Sequence, residues 1–139
     1  MAQGRPLTFC SWGGALSELE KTALLDPFAK AKGIEIAHAS PTNYAKIKSM
    51  VEAGAPEWDI VDVGGESTRP GAVEIDADVE AARILGVIRS LAAPDVMVSI
   101  DTYKAVVAAA ALAAGARIVN DVCGLRREPE IASVAAAHG

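Results

Sequence analysis

Trp58-Asp59-Ile60-Val61-Asp62-Val63 runs without a break into Gly64-Gly65-Glu66-Ser67-Thr68-Arg69-Pro70-Gly71, and this stretch decides the fold. Apolar side chains on both sides of the pleat mark a buried strand of a parallel sheet, and the glycines and proline beyond it mark a strand-to-helix loop. The next apolar period, Ile84, Val87, Ile88 and Leu91, is that of a helix with one buried stripe. Further on, residues 96–100 read as strand four, Thr102 as the cap of an alanine-rich helix ending at Gly115, and residues 117–120 as strand five. A last helix opens at Pro129, with Ile131, Val134, Ala135 and His138 on one face.

Toward the N-terminus, Leu7-Thr8-Phe9-Cys10 is a short strand and Ser11-Trp12-Gly13-Gly14 a tight turn into a helix. That helix carries Leu16, Leu19, Ala23, Phe28 and Ala31 and stops at Gly33; Pro27 kinks it, or restarts it with Asp26 as cap. Residues 34–38 alternate as strand two. Ser40-Pro41-Thr42 supplies cap chemistry for a helix with Ile47, Met50 and Val51 inward and Gly54 as stop. Five strands alternating with five helices predict one α/β domain over residues 1–139, a three-layer αβα sandwich on a five-stranded parallel sheet. The flavodoxin-like, Rossmann-like order 2-1-3-4-5 fits such right-handed crossovers. A closed eight-stranded barrel needs roughly 250 residues, so 139 residues do not close one alone.

Composition narrows the function classes. With 51% hydrophobic and 22% charged residues the chain has the material for a core. Thirteen basic against 18 acidic residues, a net charge of −5, leave no basic footprint for nucleic acid or a membrane surface. Residues 1–58 carry six basic and six acidic side chains, residues 59–139 seven and twelve, so the excess acidity lies in the second part. Cys10 and Cys123 stand alone, signalling neither a disulfide framework nor zinc, and a reducing compartment is expected. The longest apolar run, residues 105–114, is too short to span a bilayer, and the first residues lack a leader pattern, so a cytoplasmic location is expected. Neither a GxGxxG fingerprint nor a GxxxxGK[ST] loop occurs, which leaves nucleotide binding without support.

Three motifs carry a resemblance: Asp62-Val63-Gly64-Gly65-Glu66-Ser67-Thr68-Arg69-Pro70-Gly71, Val98-Ser99-Ile100-Asp101-Thr102 and Ile118-Val119-Asn120-Asp121-Val122. With them, residues 59–139 resemble dihydropteroate synthase, a family built on a closed (β/α)₈ barrel. Residues 7–62 resemble the start of a periplasmic solute-binding protein of the polyamine type. This rests on Leu7 to Gly14, Pro27-Phe28, Gly33-Ile34-Glu35-Ile36 and Ala55-Pro56-Glu57-Trp58-Asp59-Ile60-Val61. Together the two resemblances imply an engineered chimera with its seam at residues 59–63, designed as a test of fragment exchange and without a native biochemical function.

Ligands of open parallel sheets sit beyond the carboxyl ends of the strands, where Ser11–Gly14, Ser40, the loop 64–71, Asp101-Thr102 and Asn120-Asp121 collect. The synthase resemblance implies that Asp101 and Asn120 hydrogen-bond a pterin ring. It also implies that Thr68 and Arg69 lie on a mobile loop at the p-aminobenzoate and pyrophosphate end. The plainer reading makes Asp101 and Asn120 each the cap of a helix or turn at its strand end, and Glu66 to Gly71 a solvated, flexible loop. The family's magnesium-binding Asn in the first loop is replaced by Ser11-Trp12-Gly13-Gly14, and its later pterin and pyrophosphate groups have no counterpart here. The resemblance therefore implies no synthase activity, no catalytic residue, no metal and no cofactor, with pterin or small-anion (phosphate, sulfate) binding as the alternative function. Trp12 reads as packing, His38 and His138 as surface or helix-end histidines, and Cys10 and Cys123 as small buried hydrophobes. No partner is required, and the chain is expected as a monomer or as a dimer through edge strands two and five.

Overall fold

Leu7–Cys10 forms strand β1 and Ile36–Ala39 strand β2, and the two pair in parallel with Phe9 opposite His38. The computed structural model describes residues 5–92 and 96–138, so the start of the chain, where the missing leader pattern was read, lies outside the described residues. The remaining strands are β3 (Ile60–Val63), β4 (Met97–Asp101) and β5 (Ile118–Asn120). The helices are α1 (Gly14–Glu20), α2 (Asp26–Lys32), α3 (Tyr44–Glu52), α4 (Ala77–Leu91), α5 (Ala105–Ala113) and α6 (Glu130–Ala137). The five strands lie in the order β2-β1-β3-β4-β5, the order expected from the pattern of elements. By contact density the chain divides into two compact units, Met1–Val61 and Asp62–Gly139.

In the first unit, α1 passes through one wide π turn, Lys21–Leu25, into α2, which has Pro27 in its first turn. A proline cannot donate the i to i−4 bond, and the widened turn ahead of it absorbs that loss. Leu25 rather than Asp26 occupies the cap position. Gly33 closes α2 at φ 64°, and Ile34 N donates 3.1 Å to Ala29 O. That closing bond takes Ile34 out of the sheet, and β2 begins two residues later than the alternation predicts. Strand β3 also starts late, because Asp59 inserts its carboxylate where a backbone ladder would run. It accepts from Thr8 N at 2.7 Å and from Arg5 Nη1 at 2.8 Å. Asn43, not Ser40 or Thr42, caps α3, its side chain accepting from Lys46 N at 3.0 Å. Ile47 and Met50 are buried as predicted; Val51 is exposed.

The second unit has its core between β4 and the helices. Val98 and Ile100 are fully buried and Ser99 between them nearly so, so both faces of β4 are covered, as in the interior of a parallel sheet. Against them lie Ile84, Ile88 and Leu91 of α4, Val107, Ala108 and Ala111 of α5, and Ile131 of α6. Each buried Ile or Val stabilises the fold by about 1.5–3 kcal/mol relative to exposure. The alanine face of α5 lets it pack against both α4 and α6. Thr102 does not cap α5 through its helical turn; its Oγ1 accepts from Lys104 N at 3.2 Å, and the orphan N–H of Ala105 goes to Glu128 Oε2 at 2.7 Å. Of the stripe predicted on α6, Ile131 is buried, Val134 is partly buried and Ala135 is exposed.

Candidate functional site

Polar side chains gather at the carboxyl ends of β3, β4 and β5, within the second unit. Asp101 ends β4 and Asn120 ends β5, and the two are register partners across the parallel pair. Asn120 Nδ2 donates to Asp62 Oδ2 of β3 at 3.3 Å. Asp62 is 1% exposed and Asp101 8%. Successive strands place these groups side by side because each reaches the same edge before its chain turns away. Asp121, next to Asn120, turns the chain: its carboxylate accepts from Cys123 N at 2.8 Å and Leu125 N at 2.7 Å, which fits the Asx-turn role.

The loop 64–76 leaves the end of β3 and crosses closely over α4. At Gly65 a Cβ would meet Glu80 O at 2.8 Å and Ile84 Cγ2 at 3.0 Å, so only glycine allows that approach. Arg83 Nη1 donates to Gly65 O at 2.9 Å from the same helix. Further along, Ala72 N donates to Arg69 O at 3.0 Å, closing a turn with Pro70 and a positive-φ Gly71 in its centre. Proline followed by glycine is the sequence signature of that turn.

Glu66 corrects the reading of this loop as solvated. Its side chain is 7% exposed and accepts from both Tyr103 OH and Lys104 Nζ. Lys104 Nζ also donates to Ile75 O at 2.5 Å and to Glu80 Oε2 at 2.9 Å. Burial works against the Lys104 charge, but Glu66 and Glu80 outweigh it and hold the ammonium above its ordinary range. Burial likewise opposes ionisation of Glu66, yet Lys104 and Tyr103 keep its carboxyl below the usual value. Tyr103 is pushed up to about 12, by burial and then by its bond to Glu66.

Thr68 and Arg69 line a cavity of about 190 Å³ whose wall includes Glu74, Tyr103, Val122 and Arg127. Arg127 lies 4.1 Å over the Tyr103 ring and pairs with Glu74 at 2.6 Å. The four residues expected to bind a ligand therefore fall into two pairs. Asp101 and Asn120 share the strand ends, and Thr68 and Arg69 share the cavity with Tyr103, which follows Asp101 by two residues in the chain. Sequence reasoning missed Glu66, Glu80 and Lys104. Their only advance signal was an acidic residue early in a loop and a lysine just after a strand end, patterns that solvated residues share.

In the first unit, Ser11 Oγ donates to Glu20 Oε2 at 2.6 Å, and His38 Nε2 is 3.9 Å from the same carboxylate. His38 is not a surface histidine: its side chain is 13% exposed and its ring stacks on Phe9 at 5.8 Å. Trp12 meets Tyr44 edge-on, a packing contact as expected. His138 ends α6 on the surface, with Nδ1 2.9 Å from Val134 O.

The family model described as "Pterin binding enzyme" matches residues 30–139. The dihydropteroate synthase of Mycobacterium leprae is 56% identical over 91 residues, 66% of this chain and 31% of the relative. Among solved structures, the Burkholderia cenocepacia dihydropteroate synthase complexed with 7,8-dihydropteroate is 30% identical with a TM-score of 0.57. It covers 95% of this chain and 38% of that one. The Anaplasma phagocytophilum dihydropteroate synthase with bound 6-hydroxymethylpterin-monophosphate is 35% identical over 68% of this chain and 37% of that one, with a TM-score of 0.56. The chain spans about a third or less of the length of the curated relatives it matches. These findings overturn the expectation of an engineered chimera without native function. One family model runs unbroken across residues 59–63, where the seam was expected, and includes strand β2 and helix α3 that had been attributed to a solute-binding protein. The error has a physical root: short apolar strands, glycine turns and an Asp-Ile-Val edge are shared by unrelated α/β folds and do not separate one parent from another. With four-fifths of its length inside a single family match, the chain belongs to the pterin binding enzyme family.

Proposed function

We propose that this chain binds a pterin at the carboxyl edge of its sheet, as the pterin-recognising part of a dihydropteroate synthase. Asp101 and Asn120 would face the edge of the pterin ring, and Thr68 and Arg69 the anionic substituent. The observation that carries the reading is the pairing of Asp101 with Asn120 at two adjacent strand ends. A carboxylate accepts only, while an amide both donates and accepts, and together they match the alternating N–H and ring-nitrogen edge of a pterin. Arg69 suits a phosphate or carboxylate by charge and by its forked donors. Relatives of known structure were solved with 7,8-dihydropteroate and with 6-hydroxymethylpterin-monophosphate, which supports a ligand of this class.

The proposed role of the 139 residues on their own is binding without turnover. Displacing a pyrophosphate needs charge stabilisation at the leaving group, and the groups that the family resemblance assigns to the pyrophosphate end have no counterpart among these residues. Isothermal titration of 6-hydroxymethylpterin-monophosphate tests the reading. Saturable binding is expected, weakened about tenfold or more in Asp101→Ala and in Asn120→Ala, in line with the loss of a buried hydrogen bond to a ligand. Binding that both variants leave unchanged would sink it.

A further inference from the structure

We propose that Lys104 is a positioning residue for ligand binding: it ties both stems of the loop 64–76 to the end of β4 and so sets the place of Thr68 and Arg69. The inference rests on the pterin-binding reading given above and adds a residue to it.

The geometry is that of a clamp. One ammonium reaches Glu66, two residues before Thr68, and Ile75 O at 2.5 Å, near the other end of the loop. Its third donor goes to Glu80 Oε2 at 2.9 Å on α4, a side chain only 1% exposed. A lysine has three N–H donors and no more, so each is spent on holding this loop to its surroundings. Tyr103 OH holds the other oxygen of Glu66, which prevents the carboxylate from swinging away. Between the two anchors the chain is exposed: Val73 is 85% accessible, and Thr68 and Arg69 line the cavity. An eight-residue span, 67–74, is thus tethered at both ends to one buried cation.

Stability alone is a weak reason for such a cluster. Ion pairs taken out of water repay their desolvation poorly, and apolar residues of similar size often serve as well. A charged clamp does what an apolar plug does not, because it fixes direction as well as contact. The chain order gives that direction a use. Lys104 comes three residues after Asp101, so the strand end offered to the ring and the loop offered to the anionic substituent share one rigid connection.

The test compares 6-hydroxymethylpterin with its monophosphate on the 139-residue chain and on Lys104→Met, Lys104→Arg and Glu66→Gln, together with amide hydrogen exchange. In Lys104→Met the preference for the monophosphate is expected to fall about tenfold, with the affinity for unphosphorylated 6-hydroxymethylpterin nearly unchanged, since a displaced contact costs on that order. Exchange across residues 67–74 should quicken while that of β4 and α5 does not. Lys104→Arg should restore part of the preference. If Lys104→Met does not fold, Glu66→Gln decides alone, because it keeps the shape of the side chain and the Tyr103 contact. Equal weakening of both ligands, or an unchanged preference in both Lys104→Met and Glu66→Gln, would overturn the proposal. Should the unaltered chain bind neither ligand, the pterin reading fails. The clamp is then judged by exchange alone: faster exchange in 67–74 upholds it and unchanged exchange refutes it.

Discussion

Glu66 shows how one side chain can change the reading of a loop. Its carboxylate is held ionised below the ordinary value of 4.5, against burial, by Lys104 and Tyr103. A carboxyl whose folded value is depressed adds stability that is full above its unfolded value and is lost as pH falls through the folded one. Lys104 and Tyr103 are shifted upward; the Lys104 contribution is full below its ordinary range and is lost only as alkaline pH passes the raised value. The stabilising window of the cluster therefore runs from above about pH 4.5, the ordinary value of a glutamate, to the alkaline side. Urea unfolding should show Glu66→Gln less stable than the unaltered chain at pH 7 by about 1.5–3 kcal/mol, the usual worth of a charged hydrogen bond. That gap should shrink steadily as the pH is lowered past 4.5. A gap independent of pH would mean that the Glu66 charge is not what matters.

Elements obey the same competition between local and distant partners. The Ser40-Pro41-Thr42 stretch has cap chemistry, yet α3 takes its cap from Asn43, whose backbone is extended and whose side chain reaches Lys46 N. Any of several polar residues ahead of a helix satisfies the local rule, and the chain entering from β2 decides which one faces the first turn. Asn43→Ala should lower stability by about 1 kcal/mol, while Thr42→Ala changes it less at that helix end. Thermal or urea unfolding of the two variants measures the difference. Alpha5 makes the same point: Glu128, 23 residues away, satisfies the N–H of Ala105, where the sequence offered Thr102. The late starts of β2 and β3 have equally specific causes, in the closing bond of Ile34 and the inserted carboxylate of Asp59.

At the scale of the whole molecule, the site residues that the family match brings into question all lie in the unit Asp62–Gly139. A ligand that binds only the folded state stabilises it by mass action, about 2.7 kcal/mol at a hundredfold excess over Kd. Added 6-hydroxymethylpterin-monophosphate should therefore slow amide exchange in residues 97–125 directly, with its strongest protection at the ends of β4 and β5. Hydrogen exchange with and without the ligand, read by mass spectrometry, checks this. Protection confined to residues 14–52 would place the ligand elsewhere.

The amino-acid sequence by itself determined the succession of strands and helices, the strand order, and the edge at which Asp101 and Asn120 end. Those features follow from periodicity, glycine stops and crossover handedness, which are written in neighbouring residues. Residues 59–139 also carried the family resemblance in three spaced motifs, whereas residues 7–62 misled, because strand-and-turn patterns common to many α/β folds do not identify a parent. Only the tertiary structure decided that Glu66, Glu80 and Lys104 share one buried ion cluster, that His38 is sheltered against Phe9, and that Arg127 covers Tyr103. Those partners lie between 24 and 38 positions apart, and a charge says nothing in sequence about which opposite charge will lie near it. Burial and direction select the partner, and both exist only once the chain has folded.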